Sequence, residues 1–137
     1  MMSFVTRAAG FLPFLADGSM DVLQPDIAIC GGLTGVPQVA AQAAIYNRPV
    51  IPHVWGSTVN FHAALHLAAT LPPHRAGGAE PYPHIEFDVG PHPLLDLARP
   101  VLDEHGCVAV PAGTGLGIDL AAAAQEPYAI DRKVITS

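Results

Sequence analysis

The chain has 137 residues, of which 50% are hydrophobic and 13% are charged, and its formal net charge is −6. This length fits a single domain with a core of its own. Soluble domains usually carry roughly 25% charged residues, so the low charge predicts that part of the surface is covered, either by another chain or by a missing part of this protein. The six Lys and Arg residues form no basic stripe, which argues against nucleic-acid binding.

The cysteines and the apolar runs indicate the cellular compartment in which the protein is expected. Cys30 and Cys107 fit neither a metal-binding spacing nor a disulfide scaffold, so we expect a reducing, cytoplasmic environment. No apolar run approaches the roughly 18 residues of a membrane-spanning helix. The N-terminal apolar stretch resembles a signal peptide only superficially, because Pro13 and Asp17 interrupt it and no small-x-small cleavage site follows.

Apolar periodicity predicts three helices that alternate with three strands. The predicted helices cover residues 6–16, 36–46 and 58–71, and the predicted strands cover residues 22–29, 49–53 and 84–89. Thr34 is the expected N-cap of the second helix, with Pro37 in its first turn. Beyond Gly90 the chain becomes a Pro- and Gly-rich tail, with a two-stranded element predicted over residues 101–110.

Three polar residues recur near the carboxyl ends of the predicted strands. Asp26 precedes His53 by 27 residues, and Glu86 follows His53 by 33. A (β/α)8 barrel spends roughly 31 residues on each unit and carries its catalytic residues at this end of its strands. The fold class predicted is therefore α/β, a partial TIM-type barrel of roughly three strands with their helices and a tail.

The chemistry of these residues points to proton transfer. A carboxylate beside an imidazole can fix its tautomer and raise its basicity, so neighbouring strands would pair Asp26 with His53. Asp26 has a second interpretation, as a strand-end residue that caps the Gly-Gly turn. Glu86 shares its predicted strand face with Asp88, and we favour Glu86 as the site residue.

Other candidates are weaker. Trp55 follows the predicted base and either lines a substrate pocket or packs in the core. His62 and His66 have the i,i+4 spacing of some zinc sites, but no Glu follows His62, so a surface pair is the favoured interpretation. The run from Gly113 to Gly117 lacks the spacing and the following helix of a dinucleotide loop.

Four motifs resemble the mandelate racemase/muconate lactonizing enzyme family of the enolase superfamily. They are DVLQPDIAICGGLTG, PVIPHVWGS, HIEFDVGPHPLLD and VAVPAGTGLGID. The resemblance implies that residues 1–90 are the C-terminal portion of a (β/α)7β barrel, and that residues 91–137 are a tail that packs back on a capping domain. It also implies removal of a proton α to a carboxylate, with Mg²⁺ stabilising the enediolate. Asp26 and His53 then match the family's dyad, and Glu86 its acid.

The resemblance also implies what this chain lacks. The family's Mg²⁺ ligands and lysine base belong to earlier strands, which would precede Met1. We therefore expect a fragment that is inactive alone and needs a complementing N-terminal barrel and capping part. The substrate would be a small sugar acid, and the reaction would be a dehydration, a cycloisomerisation or a racemisation. A homo-oligomer is also possible. The rival hypothesis is a non-catalytic remnant or partner-binding subunit.

Overall fold

The computed structural model of the chain describes residues 5–73 and 82–120. A 3-10 turn over Ala8–Phe11 leads into the first helix; the helices are α1 (Leu12–Ala16), α2 (Gly32–Ile45), α3 (Thr58–Ala68) and α4 (Pro93–Asp96). Helices alternate with three extended segments, at residues 23–26, 50–53 and 85–88, in the order that the sequence predicts. None of the helices in these residues is long and apolar enough to cross a membrane.

The first two extended segments lie parallel and in register. Leu23 pairs with Val50, and Asp26 pairs with His53. The backbone N–H of His53 donates to the carbonyl oxygen of Pro25 at 3.1 Å. The third segment adjoins the second through one longer bond, 3.4 Å from the N–H of Glu86 to the carbonyl oxygen of Pro52. The carboxyl ends of the first two segments therefore lie side by side, and Glu86, near the start of the third, lies next to them.

Prolines explain why these segments pair through isolated bridges instead of long strands. Leu23 uses both its N–H and its carbonyl in the ladder, to residues 49 and 51. Pro25, the next residue on that side, accepts from His53 but has no N–H to donate. Pro52 has the same effect towards the third segment. Both prolines are fully buried, so they contribute packing where they remove a hydrogen bond.

The first strand is shorter than the predicted range of residues 22–29, because Asp26 ends it. The Asp26 carboxylate accepts the N–H of Ala28 at 2.7 Å, and its backbone carbonyl accepts the N–H of Cys30 at 2.7 Å. An Asp that bonds two residues ahead favours a turn over continued extension. Residues 27–31 accordingly form turns.

Helix α2 begins four residues earlier than predicted, and Thr34 is not its N-cap. Gly31 holds that position with φ +90°, a left-handed conformation that favours glycine. Gly35 lies so close to the preceding turn that an added Cβ would come within 2.0 Å of the Cys30 carbonyl oxygen. Pro37 consequently lies inside the helix instead of in its first turn. The double glycine allows the helix to start directly after the turn.

Helix α3 starts at Thr58 as predicted and ends at Ala68, three residues before the predicted end. The Ser57 hydroxyl caps it by accepting the N–H of Asn60. Phe61 is fully buried and meets Phe87 edge-on, with ring centroids 5.2 Å apart. This contact packs the third extended segment against α3, and the core continues through α2 to the first helical turns.

The C-terminal part packs on α3. Leu95 of α4 is fully buried, and the Thr58 hydroxyl donates to the carbonyl of Ala98 at 2.6 Å. The predicted two-stranded element is present as a single antiparallel bridge between Leu102 and Val108. Residues 121–137 of the predicted tail, and the loop over residues 74–81, lie outside the described residues.

Candidate active site

The structure brings His53 and Glu86 into direct contact at the carboxyl edge of the segments. The imidazole Nδ1 of His53 hydrogen-bonds to Oε2 of Glu86. The same oxygen accepts the backbone N–H of Val54 at 2.9 Å. The side chains of His53 and Glu86 are 29% and 37% exposed, so the pair is half-buried but reachable from solvent.

Asp26 lies opposite His53 in the parallel bridge but is engaged elsewhere. Its residue is 7% exposed, and its Oδ1 accepts the N–H of Ala28. In the described parts of the chain, no hydrogen bond joins the side chains of Asp26 and His53. This geometry matches the turn-capping interpretation that the sequence left open. The dyad role of Asp26 stays a prediction.

The contact with Glu86 has a chemical consequence for His53. When Nδ1 carries the ring proton, it donates that proton to the carboxylate and leaves the lone pair of Nε2 available. A carboxylate in this position holds the imidazole in one tautomer and one orientation. In this structure the carboxylate that contacts the His53 ring is that of Glu86.

Asp88, the alternative to Glu86, turns back on its own backbone. Its Oδ1 accepts the N–H of Gly90 at 2.8 Å. Asp88 therefore caps the bend after the third extended segment, whereas Glu86 reaches His53. The structure thus distinguishes Glu86 from Asp88, although alternation alone places both on the same strand face.

Arg99 is a site-supporting residue that the sequence reasoning missed. Its guanidinium donates to the backbone carbonyls of Asp88 and Gly90, and to the carboxylate of Asp96. It thereby ties the bend after Glu86 to α4. The i,i+3 spacing of Asp96 and Arg99 was the only sequence signal, and it does not reveal the carbonyl contacts.

Trp55 is not a core residue, because 70% of it is exposed. Its ring meets the ring of His92 edge-on, with centroids 6.3 Å apart and planes at 64°. Since Trp55 comes two residues after His53, it stands beside the same edge of the segments. Its role in substrate binding stays a prediction, and the sequence offered no signal for His92.

The surface-pair interpretation of His62 and His66 is wrong. His62 is buried, and its Nδ1 bonds to the carbonyl of Thr58 at 2.9 Å. His66 bonds through Nε2 to the carbonyl of Leu116 at 3.2 Å, which docks the glycine run from Gly113 to Gly117 on α3. The His62 bond lies within α3, whereas the His66 bond is a tertiary contact.

The described residues do not fit a Mg²⁺ site. They contain no group of three or more His, Cys, Asp or Glu side chains that could hold a metal ion. Mg²⁺ requires octahedral oxygen coordination, usually with carboxylates and waters. The carboxylates of Asp26 and Glu86 are already engaged with N–H donors.

Comparison with known proteins identifies the family to which this arrangement of helices and extended segments belongs. A family model described as enolase C-terminal domain-like matches residues 3–124. The chain therefore belongs to the enolase C-terminal domain-like family, which confirms the resemblance carried by the four motifs.

Two curated relatives act on sugar acids or their lactones, as their names state. A D-galactarolactone cycloisomerase from Agrobacterium fabrum is 34% identical over 113 residues, which are 81% of this chain and 30% of the relative. A D-galactonate dehydratase from Ralstonia pickettii is 31% identical over 118 residues, or 80% and 29% of the two proteins. The chain thus spans about a third of the length of the curated relatives it matches.

Solved structures agree with this assignment. The 3,6-anhydro-D-galactonate cycloisomerase from Zobellia galactanivorans superposes with a TM-score of 0.73 at 33% identity, over 89% of this chain and 33% of that one. A mandelate racemase/muconate lactonizing enzyme-like protein from Roseovarius sp. TM1035 gives a TM-score of 0.68 at 29% identity, over 86% and 28%. The similarity therefore includes the fold as well as the motifs.

Proposed function

We propose that this chain supplies the proton-transfer residues of an enolase-superfamily enzyme that acts on a small sugar acid by cycloisomerisation or dehydration. The observation that carries the proposal is the direct contact of His53 with Glu86 at the carboxyl edge of neighbouring segments. Similarity to a galactarolactone cycloisomerase and a galactonate dehydratase supports the substrate class.

In this proposal His53 is the base. Its Nε2 accepts the proton α to the substrate carboxylate, while Nδ1–H remains donated to Glu86. Subsequent transfer of the Nδ1 proton to Glu86 would restore the neutral imidazole and make Glu86 an acid. A protonated Glu86 can then donate to the oxygen of a leaving or ring-opening group. Asp26 supports the edge next to His53 through the turn that it caps.

The proposal includes a complementing polypeptide. We infer that the three extended segments are the last strands of a TIM-type barrel, and that the rest of the barrel comes from residues outside this chain. Large apolar side chains such as Ile45 and Val101 are exposed, as expected of a surface that another polypeptide covers. Mg²⁺, when bound to such an assembly, would stabilise the enediolate, and its ligands would lie in the complementing part.

The test is complementation. The A. fabrum cycloisomerase is produced without the segment that matches this chain, together with this chain, and conversion of D-galactarolactone is followed in Mg²⁺ buffer. The relative's own matching segment serves as the positive control. We expect this chain to restore turnover, and His53→Asn to lower it by about 100-fold or more.

The matched control is His105→Asn, because the His105 side chain is 77% exposed in the hairpin turn. It is expected to leave turnover unchanged. Full activity of the His53→Asn variant would remove His53 as the base. Failure of this chain where the relative's own segment succeeds would contradict the proposed function. Exchange of α-protons with D2O by the chain alone would refute the need for a complementing part.

A further inference from the structure

Arg99 holds the stretch of chain that follows Glu86. Its guanidinium donates to the backbone carbonyls of Asp88 and Gly90, the second at 2.7 Å. It also donates to Oδ1 of Asp96, from both Nε and Nη2. The side chain is only 25% exposed, so these contacts are largely shielded from water. Three acceptors therefore fix the guanidinium at the bend after the third extended segment.

The residue before Arg99 holds the stretch of chain that follows His53. The carbonyl oxygen of Ala98 accepts the hydroxyl of Thr58 at 2.6 Å. Thr58 is buried and is the first residue of α3, which begins shortly after His53. Ala98 and Arg99, together named the 98–99 brace, therefore join the two stretches of chain that follow His53 and Glu86.

The 98–99 brace is important because the ladder between the second and third segments is weak. In the described part of the chain it contributes one bond of 3.4 Å, and Pro52 has no N–H with which to donate a second. The ring contact of Phe87 with Phe61 holds the third segment on α3. The separation of the two segments therefore depends on side-chain contacts, and so does the contact of the Glu86 carboxylate with the His53 ring.

Arginine is suited to this task by its shape. A planar guanidinium presents several N–H donors in fixed directions, whereas the ammonium of lysine is a point charge on a flexible stem. We infer that Arg99 is a positioning residue, which keeps the Glu86 carboxylate on Nδ1 of His53 by way of the 98–99 brace. The consequence for catalysis rests on the proposed function.

The position of the proton on the His53 ring reports this contact. While Glu86 accepts from Nδ1, the neutral ring carries its proton there, and without the contact the proton is free to occupy Nε2. Proton–nitrogen correlation NMR spectra of the isotope-labelled 137-residue chain distinguish the two tautomers at about pH 9, where ordinary histidines are neutral. His53→Asn identifies the His53 signals among those of the seven histidines.

Variants at both ends of the brace test the inference. Arg99→Lys keeps the positive charge and removes the planar guanidinium, so we expect the Nδ1–H fraction of His53 to fall about twofold or more. Thr58→Val removes the hydroxyl that anchors Ala98 and should change the fraction in the same direction. The matched control is Arg48→Lys, because Arg48 pairs with an aspartate at 3.0 Å at the opposite end of the segments. It should leave the tautomers unchanged.

A wild-type tautomer ratio in Arg99→Lys, with folding checked by circular dichroism, would overturn the inference. A merely structural arginine would give this result, with a loss in the free energy of unfolding alone. An equal change in Arg48→Lys would overturn the inference as well. If Arg99→Lys does not fold, a wild-type ratio in folded Thr58→Val is the result that overturns it.

Turnover in the complementation assay distinguishes this inference from the proposed function. Arg99→Lys should lower kcat about tenfold and change KM by less than about threefold, because a displaced carboxylate affects proton transfer and not substrate binding. A changed tautomer ratio with full kcat would remove Glu86 from the reaction and still support the 98–99 brace. Absence of turnover with the wild-type chain would contradict the proposed function, and the tautomer ratio would still decide the inference.

Discussion

Replacement of Gly35 by alanine sets two physical effects against each other. Gly35 is the fourth residue of α2, and alanine in a helix interior is favoured over glycine by about 1 kcal/mol. The added Cβ would, however, lie 2.0 Å from the carbonyl oxygen of Cys30 and 3.0 Å from its carbonyl carbon. Real Cβ atoms essentially never come within 3.0 Å of such a neighbour.

The steric cost of the added Cβ should exceed the gain in helix propensity. Overpacking typically costs about 1–3 kcal/mol, and we take the upper end because the obstructing atoms are backbone and cannot rotate away. The expected net effect is a loss of about 2 kcal/mol in the free energy of unfolding. The turn from Asp26 to Cys30 would shift as well, since the N–H of Cys30 bonds to the Asp26 carbonyl.

Urea unfolding followed by far-UV circular dichroism measures this effect. Ala41→Gly calibrates the helix propensity, because Ala41 is an exposed residue of the same helix, and it should lose about 1 kcal/mol. Helix propensity alone would make Gly35→Ala more stable than the wild type. The two effects therefore predict changes of opposite sign in the free energy of unfolding. A Gly35→Ala protein as stable as the wild type, or more so, would refute the close approach of α2 to the Cys30 turn.

Two further predictions concern titrating groups. Burial raises the pKa of the Cys30 thiol, so a thiol-specific reagent should label Cys107 in the folded protein and Cys30 only on unfolding; equal labelling rates would contradict this. Hydrogen bonds from the Ser19 hydroxyl and backbone N–H lower the pKa of the Asp17 carboxyl. A lowered folded-state pKa stabilises the protein above the ordinary value of 3.8, and this contribution disappears as the pH falls through the folded-state pKa. Ser19→Ala should raise the pKa of Asp17 towards 3.8 in an NMR titration, whereas an unchanged pKa would exclude the Ser19 hydroxyl as a cause.

The order of the elements and the shared edge could be predicted from the sequence, because burial imposes periodicity. The spacing of Asp26, His53 and Glu86 predicted each near the carboxyl end of a strand. In the structure Asp26 and His53 end the first two extended segments, and Glu86 lies early in the third. Apolar periodicity indicates which residues are buried, and prolines or glycines indicate where a helix or an extended segment ends. These local signals are sufficient to predict the order of the elements.

The hydrogen-bond partners could not be predicted in the same way. Whether Asp26 bonds to Ala28 or to His53 depends on side-chain rotamers, which periodicity does not encode. The burial of His62, predicted as a surface residue, likewise arises from packing around α3. The role of Arg99 depends on two carbonyls about ten residues away. Such contacts arise from tertiary packing and leave no repeating pattern in the chain.

One carboxylate oxygen joins two neighbouring segments at the site. Oε2 of Glu86 accepts from the His53 ring and from the backbone N–H of Val54, while the ladder between those segments contributes one 3.4 Å bond. The shorter side chain of aspartate lacks a methylene group to span this gap. Evolution at position 86 is therefore constrained twice, by the chemistry proposed for the carboxylate and by the attachment of the last extended segment to its neighbour. The structural role of this glutamate does not depend on any reaction.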